Sequence, residues 1–188
     1  MRKHLTTLTV ATALTSGLLA GAAGHAAADP GASAAASYYL VFDKSGVTSS
    51  RLYLKQSVPG RDKVIADYKA GSGTIKNTCA VGKGWLPNGD YKIEFHRKNF
   101  DGIINGYVIK LSDKSCHAGT RRTELFIHSE MRPNGQQGRI ESERWTDENP
   151  NDYYSNGCIK LRPSHIKNLF NRLDDLGWSK LKKLKVVS

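Results

Sequence analysis

The chain is 188 residues long, 39% hydrophobic and 9% aromatic, which suffices for one packed domain and excludes wholesale disorder. Lys+Arg 28 against Asp+Glu 17 gives a formal net charge of +11. Such a charge favours anionic surroundings, whether nucleic acid, a membrane surface or an acidic cell-wall polymer, without choosing among them.

Residues 1–28 read as a secretory signal peptide. Arg2-Lys3-His4 is the positive start, Leu5 to Ala20 is mostly apolar but broken by Thr and Ser, and Ala26-Ala27-Ala28 is a small-residue cleavage stretch before Asp29-Pro30. The apolar run is short for an anchor, which needs about 20 uninterrupted apolar residues. Cleavage is expected after Ala28, with Ala36 as a second site, giving an exported protein of the cell wall or periplasm with no stable membrane insertion. Residues 29–37 form a short Ala-rich linker, and residues 38–188 a single domain without internal repeat.

From Tyr38 the chain consists of short strand-like runs separated by Gly, Pro, Asn and Asp. The spacing predicts strands at Tyr38–Asp43, at Arg51–Gln56 (Leu52 and Leu54 on one face) and at Val64–Ala70. Trp85-Leu86-Pro87-Asn88-Gly89 is a turn into Tyr91–His96, where Tyr91, Ile93 and Phe95 alternate with Lys92 and Glu94. Tyr107–Leu111 and Glu124–His128 follow. The pattern is mainly β, as in a sandwich or barrel. One helix interrupts it: Ile166, Leu169, Phe170, Leu173 and Leu176 share a face at a 3.6-residue period, with Ser164 as expected N-cap and Gly177 as stop. Leu181–Val187 closes the domain as a strand, with Lys180, Lys182, Lys183 and Lys185 reading as the wet face of a sheet edge. The polar stretch Ser129–Tyr154 has no clear period, and a segment of that length is expected to be a functional loop.

Export changes the reading of the three cysteines. They are either incidental small apolar residues, or a Cys79–Cys116 disulfide with a free, reactive Cys158.

Two places carry chemistry. In Phe126-Ile127-His128-Ser129 an apolar strand ends on a histidine; in Tyr154-Ser155-Asn156-Gly157-Cys158-Ile159-Lys160-Leu161 a cysteine joins a small-residue turn to an apolar run. A thiol becomes a nucleophile by losing its proton, and a histidine at a strand edge is the usual acceptor. Gly157 permits close backbone approach to a substrate, and the amides of Gly157 and Cys158 are expected to face an oxyanion. The bland alternative is a structural histidine and a buried cysteine, each ordinary when taken alone.

At these residues the chain resembles the L,D-transpeptidases with the YkuD-type catalytic domain, whose pattern is a histidine, a variable loop, then Ser-His-Gly-Cys, an apolar residue and usually arginine. Trp85 to Ile93 also resembles that family's Thr-Pro-x-Gly-x-Tyr/Phe stretch, and the similarity extends over Tyr38 to Val187. The resemblance implies a YkuD-like β-sandwich or barrel with one C-terminal helix before the last strand. It implies Cys158 as nucleophile, His128 as base, the Ser129 carbonyl as the group orienting His128, and Gly157 in the oxyanion hole. Ser155, Asn156 and Lys160 would contact substrate, with Asn156 standing where the family has histidine and Lys160 where it has arginine. Lysine keeps the charge but loses the planar fork that grips a carboxylate.

The implied reaction is acyl transfer on peptidoglycan stem peptides through a Cys158 thioester, giving 3–3 cross-links and needing no metal or organic cofactor. Water or a free D-amino acid as acceptor would make it an L,D-carboxypeptidase or an exchange enzyme. Three other classes compete: a secreted binding or inhibitor module, a zinc site from Cys79, Cys116, His117 and His128, and a nucleic-acid binder. The zinc reading lacks Cys-x-x-Cys or His-x-x-x-His spacing, and the nucleic-acid reading rests on charge alone, since Gly82-Lys83-Gly84 lacks the rest of a phosphate loop.

Overall fold

A computed structural model describes residues 36–146 and 150–188; the signal-peptide reading and nearly all of the linker lie outside them. Eleven strands and one α-helix make up the domain, and no described helix is long and apolar enough to cross a membrane. The strands are β1 (Ser37–Asp43), β2 (Ser50–Ser57), β3 (Lys63–Ser72), β4 (Gly89–Tyr91), β5 (Ile93–Phe100), β6 (Gly106–Leu111), β7 (Lys114–Ser115), β8 (Arg121–Arg122), β9 (Phe126–His128), β10 (Ile159–Lys160) and β11 (Leu181–Val187). The helix α1 spans Pro163–Leu176.

Nine strands form one sheet in the order β4-β11-β1-β2-β3-β10-β9-β6-β5, and β7 and β8 make a separate hairpin. The two ends of that order, β4 and β5, are separated in the chain by Lys92 alone. The sheet therefore curls until its edges nearly meet, as in a barrel. The run Tyr91–His96, expected as one strand, is divided at this corner: Tyr91 pairs with Leu184, while Ile93 pairs with Leu111.

Alternation sets the core. Leu40 lies opposite Leu54 and Leu184, and Phe42 opposite Leu52 and Val186, so strand residues two apart project to one side. Leu40, Phe42, Leu52, Leu54 and Leu184 are fully buried, each contributing roughly 1.5–3 kcal/mol. α1 closes the same core with Ile166, Leu169, Phe170 and Leu173. Phe170 meets Tyr107 edge-on with ring centroids 5.0 Å apart, and Asn168 accepts a hydrogen bond from the Tyr68 hydroxyl at 2.8 Å.

Two local expectations are corrected. The N-cap of α1 is Arg162, in extended conformation, not Ser164; Pro163 occupies the first turn, where its missing N–H costs nothing. β11 is not an edge strand, because β4 pairs along its outer side, although Lys182, Lys183 and Lys185 do face solvent. Gly177, with φ 90°, ends the helix.

Candidate active site

The site follows from one short parallel pairing. β9 and β10 run side by side with Ile127 opposite Ile159 and His128 opposite Lys160. Both isoleucines are fully buried in the main core. The residues on either side of them point the other way, so Phe126, His128, Cys158 and Lys160 share the opposite face. Phe126 and Cys158 pack there with Val108 in a second apolar cluster flanked by Phe95, Phe100 and Ile104. Strand periodicity thus carries histidine and cysteine, remote in sequence, into one cavity of about 580 Å³.

His128 is buried, and its Nδ1–H donates to the Ser129 carbonyl at 3.0 Å. That bond assigns the proton to Nδ1 and leaves Nε2 as the basic nitrogen. Burial first, then the charge of Lys160, pushes the imidazole down to about 3, while the Ser129 carbonyl works in the other direction. The Cys158 thiol donates to the Glu124 carbonyl at 3.4 Å. Burial pushes the thiol up to about 11, against the Phe126 backbone and the charges of Lys110, Arg122 and Lys160. At neutral pH the His128 imidazole and the Cys158 thiol are therefore both neutral.

The turn before the sulfur is tightly knit. The Ser155 hydroxyl donates to the Cys158 carbonyl at 2.6 Å and accepts from the amides of Gly73 at 2.9 Å and Gly157 at 3.1 Å. The Gly157 amide, expected to serve an oxyanion hole, is thus engaged by Ser155. Gly157 has φ 114°, and a Cβ there would collide with the Arg122 guanidinium. Asn156 and Ser155 line the cavity, and the Asn156 carbonyl accepts from Arg122.

Lys160 also lines the cavity, but its ammonium is held in a buried ion pair by Glu130. Its charge is largely spent within the protein rather than presented to a ligand. Burial pushes the Glu130 carboxyl up, against the pull of Lys160. The stretch expected to be a functional loop supplies walls of the cavity through Ser129, Glu130, Ser142 and Tyr154.

Sequence reading missed Arg122, Glu124 and Glu130. Arg122 is buried and donates to four carbonyls, of Thr78 (2.7 Å), Trp85 (3.3 Å), Gly84 (3.2 Å) and Asn156 (3.0 Å). Its neighbour Arg121 points out to Asp113, so nothing in the Arg-Arg pair marks which residue turns inward. Glu124 adopts a left-handed backbone, φ 51°, a conformation that non-glycine residues rarely take and that clusters at functional sites. Its carbonyl is the acceptor of the Cys158 thiol.

The other two cysteines are bonded to each other, and the link ties the β3–β4 loop to the β7–β8 hairpin. Ligand atoms of Cys79, Cys116 and His117 lie within 4.8 Å of one another, but both sulfurs are used in the disulfide, and His128 is not in the group. Among the described residues, no other such cluster of potential metal ligands is present.

Comparison with known proteins agrees with this architecture. No curated protein matches the sequence closely enough to count as a relative. Among solved structures the chain is similar to Bd1075 of Bdellovibrio bacteriovorus, at 13% identity and TM-score 0.50, over 80% of this chain and 47% of that one. It is also similar to the helical cell shape determining protein Pgp2 of Campylobacter jejuni (K307A mutant), at 15% identity and TM-score 0.53, over 81% of this chain and 46% of that one. The chain thus spans about half the length of these proteins, and at such identities the likeness is one of fold. The sequence model of the YkuD L,D-transpeptidase catalytic domain matches residues 37–186, nearly the whole described domain. The chain belongs to the family of YkuD L,D-transpeptidase catalytic domains.

Proposed function

We propose that the chain is an exported cysteine acyltransferase that joins peptidoglycan stem peptides by 3–3 cross-links. The observation that carries this reading is that Cys158 and His128 line one cavity, with the ring held by the Ser129 carbonyl so that Nε2 is the basic atom. The Cys79–Cys116 bond supports export, since such bonds persist in oxidising compartments.

In this mechanism Cys158 Sγ attacks the carbonyl carbon of the third stem residue as His128 Nε2 takes the thiol proton. Because Ser155 holds the Gly157 amide, this mechanism assigns the oxyanion to the Cys158 amide. Collapse breaks the C–N bond to the terminal D-alanine, whose amine takes the proton back from His128. The resulting thioester is attacked by a side-chain amine of a second stem, which gives its proton to His128. The C–S bond then breaks, and that proton returns to the sulfur. Exposed Val81 and Ile103 at the cavity, with Phe100 and Ile104, supply an apolar wall for the peptide backbone to lie against.

Incubation with tetrapeptide muropeptides tests the proposal by mass spectrometry. Wild type is expected to release D-alanine and form 3–3 dimers, and Cys158→Ala to do neither. Tripeptides without dimers would make water the acceptor. Unchanged tetrapeptides with wild type would refute the acyl-transfer reading.

A further inference from the structure

Three lysines are buried among the described residues, and one of them lacks a carboxylate. Lys160 is paired with Glu130, and Lys110 lies 3.7 Å from Glu94. Lys44, 6% exposed, instead donates to the Leu86 carbonyl at 3.0 Å. Burial pulls its ammonium down to about 8, and no acidic group offsets that pull. A buried ammonium held by a carbonyl alone still lacks a counter-ion, and an external anion can supply it.

Lys44 faces a cavity of about 440 Å³ that shares no lining residue with the Cys158 cavity. Lys76 and His117 line it as well, with the hydroxyl-bearing Thr78 and Ser115, and none of its described lining side chains is acidic. The Lys44 and Lys76 ammonium groups lie 5.1 and 5.6 Å from the centroid of the same Trp85 ring. Two like charges lining one cavity repel, and an anion bound in that cavity relieves this. Point-charge ammonium donors and hydroxyls arriving from separate segments suit a tetrahedral anion better than a planar carboxylate, whose matching partner is the arginine fork. The volume is larger than one inorganic ion needs.

We propose that this cavity is a binding site for a phosphate group carried on a larger molecule, with Lys44 and Lys76 as its principal cations. A phosphate monoester and a phosphodiester polymer share that chemistry. Arg122, which lines the Cys158 cavity, donates to the carbonyls of Thr78 and Trp85, both in the wall of this second cavity.

The test measures binding of glycerol 3-phosphate and of poly(glycerol phosphate) to the disulfide-intact protein by calorimetry, with polyglutamate as a non-phosphate polyanion. Lys44→Met keeps the side-chain volume, and Lys76→Gln changes an exposed residue, so neither relies on a fold at risk. Affinity for at least one phosphate probe is expected to fall tenfold or more in both variants, while weak polyglutamate binding stays within twofold. If the monoester alone binds, the ligand is a soluble phosphate; if the polymer binds and inorganic phosphate displaces it, the ligand is a phosphodiester chain. Absence of phosphate binding in wild type, or a smaller loss in either variant, overturns the proposal.

Discussion

The protonation state of the dyad yields the sharpest prediction. Cys79 and Cys116 are bonded to each other, so Cys158 is the single free thiol of the chain. Burial holds that thiol up to about 11 and the His128 imidazole of the same cavity down to about 3, so the cavity holds no His128 imidazolium at neutral pH. By mass action the thiolate fraction at pH 7 is on the order of 10⁻⁴, against a few per cent for an unperturbed cysteine of pKa about 8.5. Alkylation of the native, oxidised protein by iodoacetamide is therefore expected to run about two orders of magnitude slower at pH 7 than that of a small thiol. Its rate should climb about tenfold per pH unit to about pH 10. Mass spectrometry of the Cys158 peptide over a pH series measures this. His128→Gln should leave the alkylation midpoint within about one unit, since a neutral ring contributes no charge, yet abolish turnover, since the proton acceptor is gone. A midpoint below pH 8 with a plateau above it would refute the reasoning, because it would require a preformed thiolate–imidazolium pair.

Three further outcomes are expected. The unfolded chain protonates His128 below about 6.5 and the folded chain only near 3, so this group's contribution is complete above pH 6.5 and lost as pH falls towards 3. The loss amounts to roughly 4–5 kcal/mol, and urea unfolding across that window should show a flatter acid limb in His128→Gln. Glu130→Met alone leaves the Lys160 ammonium buried without its partner and should cost about 3–5 kcal/mol, while adding Lys160→Met should restore most of it in a double-mutant cycle. Replacing Cys79 and Cys116 by serine opens a link spanning 37 positions and should cost about 4 kcal/mol by denaturant unfolding. Turnover should fall with it, because the freed loop carries the Thr78 carbonyl that holds Arg122.

Residues near in the chain determine most of the strands and the helix by themselves. The alternation of Leu52 and Leu54 with Arg51, Tyr53 and Lys55 is a local pattern, and β2 lies where that pattern stands. The five-residue apolar face of α1 and the stop at Gly177 are equally local, and four of the five residues are fully buried. Corners are less legible. Lys92 divides a perfectly alternating run because the sheet has to turn there, with the Lys92 amide bonded to Ser112 Oγ at 3.1 Å, and no feature of the run announces it. The lysine-bearing face of β11 reads as an edge from its own composition, whereas edge or interior depends on whether β4 arrives beside it.

The site divides in the same way. His128 and Cys158 stand out in the sequence because strand end and glycine turn are local signals with chemical meaning. That they line one cavity depends on the parallel register of β9 and β10 across a long loop, and register is a property of two segments together. That Lys160 is paired with Glu130, and that Arg122 turns inward while Arg121 turns outward, likewise depends on which partner and how much solvent the fold leaves beside each charge. A side chain's identity states what it can do; its burial and its neighbours, which only the packed structure supplies, decide its charge and its availability.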